Sequence, residues 1–90
     1  MARVAVILRV LPSSIDIDLN ALKSKIEDSL PEGYKVEGSG VEPIAFGLKA
    51  LKLIISMPEE TEGGTEALEE RLRSLPEVDQ VEIEAVHRLS

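Results

Sequence analysis

The tetrapeptide Ser-Leu-Pro-Glu occurs twice, at residues 29–32 and 74–77, half a chain apart. Each copy closes an apolar stripe at helical spacing. Leu19, Leu22, Ile26 and Leu30 precede the first proline, and Leu68, Leu72 and Leu75 precede the second. A proline cannot continue a helix, so both helices must end there. Two helices that end alike in a chain of 90 residues imply two copies of one unit.

Alternating apolar residues supply the strands around them. In residues 3–10, Val4, Val6, Leu8 and Val10 share one face and Arg3, Ala5, Ile7 and Arg9 the other. Pro12-Ser13-Ser14 closes this strand, and Asp18 is placed to cap the first helix with its carboxylate. Residues 34–40, with two glycines among polar residues, predict an irregular or bulged lead into a second strand over 41–45. A third strand over 48–57 puts Lys49, Leu51, Leu53 and Ile55 opposite Leu48, Ala50, Lys52 and Ile54. After a loop at 58–64, Thr65 is expected to cap the second helix, with Glu66 in its first turn. The last strand, 78–86, sets Val81, Ile83 and Ala85 against Glu82 and Glu84.

Each repeat is thus a strand-helix-strand unit whose two strands leave a gap. Interleaving the units fills both gaps. With right-handed crossovers the strands, counted in chain order, lie 4-1-3-2 in one antiparallel sheet with both helices on one face. This is a ferredoxin-like βαββαβ sandwich of the α+β class, in one domain. Its other sheet face stays open, with Ala5, Ile7, Ala50 and Ile54 among Arg3, Arg9 and Lys52.

Charge narrows the function. Net charge is −7 and the pI about 4.6, which argues against general nucleic-acid binding, because phosphate neutralisation needs basic patches. Between residues 58 and 84 there are ten acids against two arginines, which suits either a solvated face or a basic protein partner. The absence of cysteine excludes a disulfide framework and a thiolate metal site. Arg9 interrupts the opening apolar run, which therefore reads as a strand and not as a signal peptide or a membrane span. The expectation is an intracellular, cytoplasmic monomer with no membrane contact.

Catalytic chemistry finds little support. His87 is the only histidine, and no serine sits in a nucleophile elbow. The loop Glu59-Glu60-Thr61-Glu62 lacks the alternating ligand spacing of a calcium site. Gly63-Gly64-Thr65 opens a helix, but no lysine stands beside it to hold a phosphate. The predicted strands offer no aromatic platform for RNA bases. No cofactor and no metal are expected. What remains is a binding module.

The central stretch gives that module a family. Pro43-Ile44-Ala45-Phe46-Gly47-Leu48-Lys49-Ala50-Leu51-Lys52-Leu53 resembles the P-x-x-[FY]-G-[IL]-K-x-L-x-[IL] core of translation elongation factor 1-beta. Gly64-Thr65-Glu66-x-Leu68-Glu69-Glu70, the ending at residues 81–89 and the strand closed by Leu11-Pro12 resemble the same family. The resemblance spans nearly the whole chain and matches the short archaeal form. It implies a guanine-nucleotide exchange factor without covalent chemistry, whose partner is the GTPase elongation factor 1-alpha. It also implies partner contacts at Phe46 and Gly47, at Glu59, Glu60, Thr61, Glu62, Gly63 and Gly64, and at Leu89. Eukaryotic members carry in that loop a lysine that invades the magnesium site of the GTPase. Aligned through Gly64-Thr65-Glu66, the position here is Glu62, whose carboxylate cannot mimic the cation. The residues alone leave two points open. Phe46 either folds back over the sheet end or projects, and a ferredoxin-like sandwich also suits a small-molecule-binding regulatory domain of the amino-acid-binding type.

Overall fold

The two Ser-Leu-Pro-Glu copies end their helices by one device. Ser29 Oγ donates to the carbonyl of Ile26 at 2.9 Å, and Ser74 Oγ to that of Arg71 at 2.6 Å. The next amide then bonds three residues back, Leu30 to Glu27 and Leu75 to Leu72. Both leucines turn inward and pack, partly buried, against the core. These interactions satisfy carbonyls that a helix end otherwise leaves free.

The computed structural model describes residues 2–61 and 63–89. Its elements run β1 (Arg3–Pro12), α1 (Leu19–Ser29), β2 (Lys35–Ala45), β3 (Leu48–Pro58), α2 (Gly64–Arg73) and β4 (Val78–Arg88). The strands form one sheet in the order β2-β3-β1-β4, and every neighbouring pair is antiparallel. This is the 4-1-3-2 order that the sequence predicts.

The core follows from the central register. Val10 faces Leu51, Leu8 faces Leu53, Val6 faces Ile55 and Val4 faces Met57. Leu22 and Ile26 of α1 and Leu68 and Leu72 of α2 close over these rows, with Val78 and Val81 of β4 at the side. Asp18 caps α1 as expected, its carboxylate accepting from the amides of Asn20 and Ala21.

Three expectations require correction. First, β2 begins at Lys35 and not at Val41, so most of residues 34–40 belongs to the strand, and the expected bulge lies within it. An edge strand pairs through its backbone on one side only and needs no apolar alternation, and shifts of register after Val36 and after Pro43 absorb the irregular sequence. Second, β4 carries a register shift, with Leu8 opposite Ile83 but Ile7 opposite Ala85. Glu84 is the extra residue, so Ala85 moves to the open face, away from Val81 and Ile83. Third, the cap of α2 is Gly63, not Thr65. Gly63 has φ 82° and its carbonyl accepts from Ala67, and a Cβ there would come within 3.0 Å of the Ala67 side chain. Thr65 lies inside the first turn.

Leu22 and Leu72 sit at the centres of the two stripes, 2% and 0% exposed. Truncating either to alanine should destabilise the fold by about 2–5 kcal/mol, as core cavities do. Urea unfolding checks this, and a loss below about 1 kcal/mol in either variant would show that its helix buries another face.

Candidate partner-binding site

β2 and β3 are joined by two residues, Phe46 and Gly47, between the paired Ala45 and Leu48. Both have positive φ, 51° and 80°. That is the pattern of a type I′ turn, whose handedness matches the twist of the strands and whose usual occupants are Asn and Gly. Gly47 fits at no cost, whereas a bulky side chain in the left-handed region costs roughly 1–2 kcal/mol. The Phe46 side chain is fully exposed, at 102% of its reference area. The ring projects from the turn and does not fold back over the sheet end.

The other residues with implied partner contacts lie at the opposite end of the molecule. β3 runs from the Phe46 turn to the loop that holds Glu59, Glu60, Thr61 and Gly63, with Gly64 opening α2 just after it, and its 11 residues span roughly 33 Å. Glu59 and Glu60 are exposed. The Glu59 amide donates to the carbonyl of Ala2, and Thr61 Oγ1 to that of Pro58 at 2.7 Å. Leu89 is half exposed at this same end, its amide bonded to Arg3, and Arg88 beside it pairs with Glu59 at 3.3 Å. The structure therefore gathers these residues into two groups, one at each end of a body 42 Å long. Glu62 lies outside the described residues.

Between the two ends the open face carries a charge network that sequence reasoning did not find. Arg9 of β1 bonds Glu82 of β4 and Glu42 of β2, and Lys52 of β3 pairs with Glu84 at 3.1 Å and Glu42 at 3.6 Å. All four strands are tied by five side chains. The Arg9 hydrogen bond, helped by Lys52, holds the Glu42 carboxyl below the usual value near 4.5, against a smaller opposing effect of desolvation. Glu84 first, and Glu42 after it, raises the pKa of Lys52. The hint was there in the spacing, since Arg9, Lys52, Glu82 and Glu84 all fall on the outward period of their strands.

The fold and this exposed tip define the class: a ferredoxin-like α+β sandwich with a projecting aromatic at one end. Residues 5–89 match the EF-1 guanine nucleotide exchange domain, and the chain belongs to that family. It is 61% identical over 90 residues to elongation factor 1-beta of Staphylothermus marinus, with both chains covered in full. It is 53% identical to elongation factor 1-beta of Aeropyrum pernix over 99% of both chains. The role that follows is that of a translation elongation factor. Among solved structures, the C-terminal domain of the MgtC protein from Mycobacterium tuberculosis superposes with a TM-score of 0.60 at 17% identity, covering 92% of this chain and 86% of that one. At that identity the likeness is one of fold alone.

Two measurements probe this geometry. Phe46→Asn supplies the Asn-Gly pair that I′ turns prefer, and should stabilise the protein by about 1 kcal/mol, a rise of roughly 4–8 °C in melting temperature. An unchanged or lower melting temperature would mean that the turn is unstrained by its ring. The second is pH dependence. Glu42 has a depressed pKa in the folded state, so its contribution is present above its ordinary value near 4.5 and is lost as pH falls through the lower folded value. Wild-type melting temperature should hold from neutral pH to about 5 and fall below that. Glu42→Gln should be less stable than wild type at neutral pH and converge on it in acid; parallel curves would show that the network does not titrate with folding.

Proposed function

We propose that the chain promotes exchange of GDP for GTP on elongation factor 1-alpha, which would support aminoacyl-tRNA delivery to the ribosome in the cytoplasm. The observation that carries this reading is Phe46, an aromatic side chain held in a disfavoured backbone conformation and wholly in solvent. Neither fact aids folding. Strained, projecting residues concentrate where a structure is committed to recognition, and a rigid aromatic buries a large area at small entropic cost.

Acceleration of nucleotide loss needs no covalent step from this chain. A factor that binds empty GTPase more tightly than GDP-loaded GTPase must weaken GDP by the same ratio. Phe46 with Gly47 supplies one contact, and Glu59, Glu60, Thr61, Glu62, Gly63, Gly64 and Leu89 the other. Contacts roughly 33 Å apart would fall on separate parts of the GTPase, so the factor can act as a strut between them. With Glu62 in place of the eukaryotic lysine, displacement at the nucleotide site rests on the shape of the loop and not on a cation from that position.

The test is release of a fluorescent GDP analogue from elongation factor 1-alpha. Wild-type protein should accelerate it, and Phe46→Ala should slow the stimulated rate at least tenfold, about 1.4 kcal/mol, with melting temperature within a few degrees of wild type. No stimulation by wild-type protein would overturn the reading. A collapsed melting temperature with normal exchange by the folded fraction would remove Phe46 from the site.

A further inference from the structure

Among the described residues seven large hydrophobic side chains stand exposed, and four of them gather at the hairpin end: Ile15, Val41, Ile44 and Phe46. Scattered singly, such residues need no explanation; grouped, they mark a contact surface. Two of them, Ile15 and Val41, line a groove of about 300 Å³ between the loop after β1 and the β2–β3 hairpin, together with Pro12, Ile17 and Gly47, with Ser14 and Asn20 as polar wall and Lys49 beside them. Gly47 is common to the groove and to the turn that carries Phe46.

The groove is preformed. Its loop is pinned at the start by the Ser13 amide on the Glu77 carbonyl at 2.8 Å, and at the end by the Asp18 cap. Between these points the Asp16 amide donates to Ser14 Oγ at 3.1 Å, making a tight turn that holds Ile15 outward, 64% exposed. Lys49 is exposed, and among the described residues no carboxylate pairs with it, in a chain of net charge −7. The Asp18 carboxylate in the same wall is already engaged by two amides.

We infer that this groove receives an apolar side chain of the GTPase, carried on a segment whose neighbouring carboxylate meets Lys49. Phe46 enters the partner while the partner enters the groove next to it, so the contact interlocks. This rests on the reading that the hairpin end meets the GTPase. It adds Ile15 and Lys49 to the contact and gives the partner's segment a chemistry: one apolar side chain beside one acid.

Stimulated GDP release by the full chain, with Ile15→Ser, Lys49→Glu, Phe46→Ala and wild type side by side, tests it. Ile15→Ser should lower the stimulated rate about tenfold, the loss expected for one aliphatic side chain left unburied, with an unchanged melting temperature because Ile15 supports nothing in the fold. Lys49→Glu should raise the factor concentration needed for half-maximal stimulation, and more so at low salt. If both variants match wild type while Phe46→Ala is impaired, the groove is idle and the inference fails, but the hairpin reading stands. If wild type gives no stimulation, the proposed function itself fails and takes this inference with it. If wild type sediments as a dimer that Ile15→Ser splits, the groove is an interface between copies and the inference is overturned.

Discussion

The central pairing of β1 with β3 sets a problem that the rest of the sheet resolves. Aliphatic rows fill the inner face, and because strand side chains alternate, that register forces Arg9 directly opposite Lys52 on the outer face. Like charges in facing positions destabilise a sheet. Acids from both edge strands offset them: Glu42 from β2, Glu82 and Glu84 from β4. Isolated surface pairs contribute little. Here, though, Arg9 and Lys52 each hold two acids, and the side chains involved are only 29–38% exposed. The edge strands are therefore held twice, by apolar packing beneath the sheet and by charge above it. Part of the acidity of residues 58–84 is thereby explained from within the fold, without a basic partner.

Two of the register shifts on the edge strands fall at acids: Glu84 is the extra residue at one shift of β4, and Glu37 at one shift of β2. Each carries a carboxylate onto the open face, where Glu84 meets Lys52 and Glu37 accepts from the hydroxyl of Ser56. Ser56 is the one buried polar side chain among the described residues, and it accepts in turn from Arg3 at 3.0 Å.

This explains which parts of the structure were legible in the sequence. Period-two and helical spacing recovered the element order, the inner faces of β1 and β3, and both helix stripes. They failed where the chain departs from its period. No composition signal marks Glu84 as a bulge, so alternation alone sets Ala85 on the wrong face. An edge strand rich in glycine and serine reads as loop, because backbone pairing leaves no apolar trace. Thr65 looked like a cap because its hydroxyl suits the role, whereas the closeness of Ala67 makes Gly63 the residue that fits. Phe46 was legible as a turn residue through the Gly after it, but its projection depends on its φ. Ile15 alternates with Ile17 and Leu19 over too short a stretch to mark a face, and only the fold sets it beside Val41 and Gly47.

The same network bears on what the two ends can do. Glu42 lies four residues before Phe46 in β2, and its bonds to Arg9 and Lys52 fasten the root of the hairpin to both central strands. At the far end, the Glu59 amide on Ala2 and the Leu89 amide on Arg3 fasten the loop and the end of β4 to the start of β1. β1 and β3 connect the two fastenings through their shared register over Arg3 to Val10. A ring on a flexible hairpin would be ordered on meeting a partner, and that ordering subtracts from affinity. Held as it is, Phe46 bears that cost in its backbone when the protein folds, and the distance from it to the loop after β3 is set before any partner arrives. If both ends meet one partner, as proposed above, a body fastened in this way keeps the distance between them, and the partner is the one that must deform.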